Sequence, residues 1–304
     1  MKKMHLSLAA AAALGCLYVS ADAQTVAYWR HEEGTPGGLI AAGPDSVLDS
    51  SGNGNNMRTF DPTFTSATYT STVSPLPLAN GMTNTLALDF GPGGDDDGRN
   101  DDNYSADAAV NGMNFQALTV EAAFNFNVVD GFQALVGKDG PGAGGDPDIA
   151  PFALKLRGDS NPGGTVPQQL QIEFTDGDGD VFSLGSGMTT QAGLWYHAAF
   201  TLTATDAQFW LRTENDADYV LVDSASGDFA NDNGNVLWES AANWTVGRGW
   251  FNGNIVDWSD AIIDEVRVSD AALSTGDFTF AAVPEPGSLT ALAGLALLGL
   301  RRRR

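Results

Sequence analysis

Oxygen-bearing side chains gather at a few points of this chain where a hard cation could bind. The run Asp49-Ser50-Ser51-Gly52-Asn53-Gly54-Asn55 offers carboxylate, hydroxyl and amide oxygens on a glycine-rich turn. Calcium takes about six to eight such ligands. Asp264 stands in the alternating run 262–268. There Ile262, Asp264, Val266 and Val268 fall on one face, and Glu265 and Arg267 on the other. A carboxylate among apolar side chains needs a cation or several donors. Calcium held by Asp264 with Asp49, Asn53 and Asn55 meets that need. So do backbone N–H groups of the 49–55 loop, without a metal. The run Asp176-Gly177-Asp178-Gly179-Asp180 has the opening spacing of a calcium loop. Its second half lacks the required glycine and glutamate, which are replaced by Val181 and Gly187. It reads as a hairpin turn in which Asp-Gly supplies positive φ.

Catalytic patterns are sparse. Hydrolysis of a glycosidic bond usually takes two carboxyl groups about 5–10 Å apart. No Glu-x-Asp-x-x-Glu strand occurs, and adjacent Asp264 and Glu265 face opposite ways. Glu121 is the only acid on the polar face of its strand. His31 and His197 are too few for a zinc site, and there is no Gly-x-Ser-x-Gly element. His197 reads as a packed structural residue, and the chain as no enzyme. Sugar binding asks for an aromatic platform beside polar groups. Of seven tryptophans, Trp29, Trp195 and Trp210 lie in strand patterns and belong to the core. Trp250 and Trp258 lie among polar loop residues and are the candidate platforms.

The elements that must position these groups are strands. In the segment 118–128, Leu118, Val120, Ala122, Phe124, Phe126 and Val128 alternate with Thr119, Glu121, Asn125 and Asn127. That pattern predicts a half-buried antiparallel strand. Similar runs recur at 26–29, 85–90, 133–136, 152–156, 170–174, 181–184, 195–203, 208–212, 219–223, 244–247 and 261–268, separated by Gly-, Asp-, Asn- and Pro-rich loops. About a dozen strands without long helices predict an all-β, two-sheet antiparallel sandwich or jelly roll. Phe124, Phe126, Val266 and Val268 should be buried in it.

The ends read differently. Lys2 and Lys3, the apolar stretch 6–19 and Ala21-Asp22-Ala23 have the form of a signal peptide over residues 1–23. The single cysteine, Cys16, then leaves with it, so no disulfide is expected. Leu14-Gly15-Cys16 offers a rival, partial lipoprotein signal. At the other end, Pro284-Glu285-Pro286 precedes an apolar run, 289–300, and four arginines, Arg301 to Arg304. The run is shorter than the roughly 20 residues of a spanning helix. It reads as a processing segment that meets the membrane only transiently, and both end segments are expected to be helical. The remaining domain, 24–282, suits one all-β unit. The formal net charge of −23 repels nucleic acid and anionic lipid, and serves either solubility or metal binding.

Two resemblances follow. The tail, from Pro284 through the apolar run to Arg304, resembles the PEP-CTERM sorting signal of Gram-negative bacteria that make extracellular polysaccharide. This implies that exosortase, a membrane protease, cuts near Pro284–Pro286 and that the product reaches the cell surface or its matrix. The segments VAYWRHEEG (26–34), LDSSGNGNN (48–56), LALDFG (86–91), LTVEAAFNF (118–126), LVGKDG (135–140), WYHAAFT (195–201), VGRG (246–249) and IIDEVRVSDAALS (262–274) together resemble the laminin-G-like, concanavalin A-like jelly roll. The resemblance implies that the terminal strands pair, which lets Glu33 complete a calcium site with Asp264. It also implies a structural or adhesive surface protein. A calcium-dependent lectin-like module that contacts extracellular polysaccharide is the alternative, and a glycosidase the third.

Overall fold

The computed structural model describes residues 25–59, 67–91, 103–104, 108–141, 149–158, 166–240 and 242–282. Residues 1–23 and 283–304, read above as processing segments and expected to be helical, lie outside the described residues. The strands are β1 (Thr25–Trp29), β2 (Gly43–Val47), β3 (Met57–Thr59), β4 (Thr68–Thr70), β5 (Ala87–Asp89), β6 (Asn103–Tyr104), β7 (Leu118–Phe126), β8 (Gln133–Lys138) and β9 (Phe152–Leu156). They continue with β10 (Gln169–Thr175), β11 (Val181–Thr189), β12 (Trp195–Leu202), β13 (Asp206–Thr213), β14 (Val220–Ser226), β15 (Trp244–Val246), β16 (Gly249–Phe251), β17 (Asn254–Val256) and β18 (Ala261–Ser269).

They form two antiparallel sheets, as the alternation predicts. The first runs β14-β13-β12-β7-β18-β5-β4, with β1 also on β18. The second runs β11-β10-β9-β8-β15-β6-β3-β2. Between them lies one apolar core that includes Trp29, Phe124, Phe126, Phe152, Phe174, Phe200, Trp244, Val266 and Val268. β16 and β17 form a separate hairpin. The acidic run 176–180 is the turn between β10 and β11. Oδ1 of Asp176 accepts the N–H groups of Asp178, Gly179 and Asp180 at 2.8–3.0 Å. Gly179 sits at φ +97°.

The first sheet departs from expectation. Every residue of β7 is buried, Glu121 and Asn125 included, although alternation predicts a solvated polar face. The outer face is covered by the segments 73–84 and 273–281. Leu78, Phe278 and Phe280 pack there on Ala87, Ala123, Trp195, Ala199, Tyr219 and Ile262, with Trp210 against them. Trp195 and Trp210 therefore fill this outer layer, not the space between the sheets. Polar residues of β7 serve as fasteners. Glu121 accepts from Nε of Arg267 at 2.6 Å and from the Thr279 N–H at 2.6 Å. His197 is buried under the same cover, with Nε2 2.6 Å from the Ser74 hydroxyl, Nδ1 3.2 Å from the Arg212 carbonyl and its ring 4.3 Å from Phe280. That is the packed structural histidine expected.

Candidate functional site

The residues proposed for calcium are not gathered around one point. The 49–55 loop lies against β1, where Asp49 accepts from the N–H groups of Tyr28, Ser51 and Asn55 and from the Ser51 hydroxyl, at 2.8–3.0 Å. Asn53 donates to the carbonyls of Thr25 and Val26, and Asn55 to that of Val26. The Asn55 side-chain oxygen accepts from Val110 N–H. Glu33 accepts from Leu48 N–H at 2.9 Å. These oxygens therefore fasten a loop to a strand. Among the described residues no group of three or more His, Cys, Asp or Glu side chains is placed to hold a metal ion.

Asp264 belongs to a different cluster, for a reason the alternation hides. β18 carries a bulge. Asp264 lies opposite Ala123 and Arg267 opposite Glu121, so β18 spends one residue more than β7 between these pairs. Glu265 takes the extra position, at φ +50°. The parity changes there. Ile263, Val266 and Val268 face the main core, while Ile262 faces the outer layer. Asp264 therefore does not share a face with Val266 and Val268. It meets the outer cover, where Asn84 Nδ2 donates to its Oδ2 at 2.7 Å. Glu265 is equally buried rather than exposed on the opposite face. Arg30 donates to it at 2.9 and 3.0 Å, and the Tyr28 hydroxyl also donates to it. Burial first, and then the Glu265 charge, hold the Asp264 carboxyl well above the ordinary carboxylate range. Burial also raises Glu265, against the bonds from Arg30 and Tyr28. Oδ1 of Asp264 and Oδ1 of Asn84 are buried and have no donor. A proton on Asp264 would satisfy both by closing an acid–amide pair.

The open ground is on the second sheet. Leu154, Leu156, Leu170 and Ile172 face the core. The intervening residues of β9 and β10 therefore point outward. There Phe132, Ile149, Lys155, Arg157, Gln171, Glu173, Ser183, Phe251 and Asp257 line a groove of about 440 Å³. Lys155 lies beside Gln171 in register, and Ser183 beside Glu173. Lys155 Nζ is 3.1 Å from Oε1 of Glu173 and 6.0 Å from the Phe132 ring centroid. One wall is the β16–β17 hairpin, held to β8 by the Ala134 N–H on the Asp257 carbonyl at 2.7 Å. Gly249 allows that approach, since a Cβ there would come 2.8 Å from the Ala134 methyl.

The hairpin also decides which aromatic ring is offered. Phe251 is 54% exposed and faces the groove. Trp250 alternates to the other side of the ribbon, opposite Ile255. It is half-buried, as is Trp258, and neither lines the groove. Trp250 is on the β16–β17 hairpin, one residue before the ring that lines the groove, and Trp258 lies beyond it. Phe251 could have been found by applying strand alternation to a segment read as a loop. Phe132, Lys155, Arg157, Gln171 and Glu173 carried no such signal, because an outward residue of a strand is the commonest kind.

The sequence matches the family model of the concanavalin A-like lectin/glucanases superfamily over residues 97–277. This chain belongs to that superfamily. A second model, the PEP-CTERM protein-sorting motif, matches residues 282–304. The motif implies exosortase processing and secretion toward the cell surface, and among the described residues no helix is long and apolar enough to cross a membrane. No curated protein matches this superfamily member. Among solved structures it is similar to domain 4 of AbnA, a GH43 extracellular arabinanase from Geobacillus stearothermophilus, in complex with arabinotriose. The identity is 16%, coverage is 86% of this chain and 98% of that one, and the TM-score is 0.47. It is also similar to the CBM40 of the Ruminococcus gnavus IT-sialidase (14% identity, 57% and 85% coverage, TM-score 0.42). A third is the binding domain of Botulinum Neurotoxin DC in complex with SialylT (9%, 84% and 49%, 0.49).

Proposed function

We propose that this protein is a non-catalytic, saccharide-binding module that works at the cell surface or in its polysaccharide matrix. The observation that carries this reading is the groove on the second sheet. It offers aromatic faces, Phe132 and Phe251, beside the amide of Gln171, the hydroxyl of Ser183 and several charged groups. A pyranose needs that combination, a flat apolar surface for its C–H face and convergent polar groups for its hydroxyls. The domain is proposed to span about residues 24–282, released by loss of a signal peptide over 1–23 and by exosortase cleavage at Pro284–Pro286. The carboxylates of the groove, Glu173 and Asp257, bind and orient in this reading and do no hydrolysis. Glu173 is engaged by Lys155.

Retention on immobilised polysaccharide from an exopolysaccharide-producing host tests the proposal. Wild-type protein is retained. Phe251→Ala weakens retention at least fivefold, with an unchanged melting temperature, because Phe251 is already exposed. Ligand also alters the fluorescence of the neighbouring Trp250. Release of reducing ends from the bound polymer would replace this reading by a glycosidase. Indifference of the protein to every polysaccharide offered would remove it.

A further inference from the structure

Two cations, Lys155 and Arg157, and two carboxylates, Glu173 and Asp257, line the groove, but neither carboxylate pairs with Arg157. Lys155 and Glu173 pair at 3.1 Å and cancel each other. Arg157 follows directly on β9. Its backbone N–H donates to the Gln169 carbonyl at 2.9 Å, which fixes its place beside β10. Its guanidinium has no such anchor. Nε is buried without an acceptor, and among the described residues no carboxylate pairs with it. Leaving a buried donor unsatisfied is unfavourable, because the group has lost water and gained no acceptor. The chain around it has 38 acidic residues and a net charge of −23. In so acidic a molecule a counter-charge is the easiest partner to supply, yet Arg157 stands in the groove without one.

The surroundings indicate what would complete it. Arginine presents its donors as a planar fork that matches a carboxylate bidentately. Phe132 lies close against Gly158 at this end of the groove, where a Cβ would come 3.0 Å from the ring. Phe251 stands on the opposite hairpin. A sugar ring resting on these aromatic faces would carry its ring substituents toward the row of polar side chains. The Lys155–Glu173 pair offers both a donor and an acceptor for hydroxyl groups, and Gln171 adds an amide. Only Arg157 asks for a full negative charge.

We infer that the groove selects saccharides that carry a carboxylate, such as uronic acid residues, and that Arg157 is the residue that reads this group. The inference rests on the saccharide-binding reading and narrows it. Bringing an acidic polymer to a chain of −23 is opposed by long-range repulsion, so the specific contact must act at short range in the sheltered groove. Moderate salt screens the repulsion more than the contact. Retention should then hold or improve between low and physiological salt, unlike that of a generally basic surface.

The test compares one polymer in two forms. Polygalacturonate and its methyl-esterified form share a backbone and differ in charge, and dextran sulfate supplies anionic charge without carboxylates. The mature domain should bind polygalacturonate at least tenfold more tightly than its ester, and dextran sulfate no better than the ester. Arg157→Gln should erase this preference. Its unchanged melting temperature would show that the fold survives. Arg157→Lys, which keeps the charge and loses the fork, should recover only part of the preference. Equal binding of the free and esterified polymer by wild-type protein would overturn the inference and leave the saccharide-binding reading standing. Preference for dextran sulfate would also overturn it. Failure to bind any of the three probes, together with no retention on the host polysaccharide, would overturn both.

Discussion

Replacing His197 by glutamine should change how stability depends on pH more than it changes stability at neutral pH. His197 is fully buried. Burial, with a smaller contribution from the Arg212 charge, pushes its imidazole from the ordinary 6.5 down to about 3. The folded protein therefore keeps the ring neutral, while the unfolded chain takes up a proton below about pH 6.5. Between these values the unfolded state binds more protons, so stability rises with pH and is lost as pH falls. The slope is about 1.4 kcal/mol per pH unit for one such group. Between pH 6.5 and pH 4.5 the expected loss is about 2.3 kcal/mol, since the unfolded ring is only half protonated at the upper value. Other groups titrate over the same range. His31 acts in the same direction, since burial lowers it to about 3. Asp264, Glu265 and Glu121 act oppositely, since burial raises them. Comparing wild type with His197→Gln cancels these contributions. The amide can still accept from Ser74 and donate to the Arg212 carbonyl, but it cannot titrate. Urea unfolding followed by tryptophan fluorescence at pH 7 and pH 4.5 gives the four free energies. The difference between wild type and variant should shift by about 2–3 kcal/mol in favour of the variant at the lower pH, with similar m values. A shift below about 0.5 kcal/mol would show that His197 becomes protonated inside the fold, and the burial argument would fail.

Three further perturbations probe the outer cover and the loop. Glu121→Ala removes the acceptor of Arg267 and of the Thr279 N–H. It should cost about 3–5 kcal/mol and speed amide exchange over 273–281; a loss under about 1 kcal/mol would mean that the cover is held by its aromatic rings alone. Asp264→Asn should be neutral or stabilising at pH 7–8, because a second amide beside Asn84 satisfies both orphan oxygens without a buried charge. For a carboxyl raised by burial, stability is present at low pH and lost as pH rises through the folded pKa, and the variant should lack that loss. A destabilisation above about 2 kcal/mol that appears only with calcium would show that the pocket holds an ion instead of a proton. Asp49→Asn should lower the melting temperature equally in calcium and in chelator, since its carboxylate already accepts four donors; a calcium-dependent difference would restore a metal to the 49–55 loop.

The long strands were legible in the sequence because two-residue alternation directly encodes one buried face. The runs at 118–128, 195–203 and 261–268 contain or nearly match β7, β12 and β18, and Phe124, Phe126, Val266 and Val268 lie in the core as expected, while Val128 falls beyond β7 and is exposed. The acidic turn after β10 was legible as well, because Asp and Gly have a local preference for that backbone. β2, β3, β4 and β6 were not. The stretches GPDSV, MRT, TYT and NY hold too few apolar side chains to mark a buried face, and their pairing is decided by neighbours distant in sequence. The partners of Asp264 and Glu265 were hidden for a related reason: the bulge shifts parity by one residue, and alternation assumes no extra residue. The fate of Glu121 and His197 depended on residues 83 to 158 positions away that fold over the first sheet. The groove was decided by tertiary structure alone. Its residues come from β9, β10, β11, the loop before β8 and the β16–β17 hairpin. None of these stretches carries a motif, because an outward side chain becomes part of a site only when another element is laid beside it.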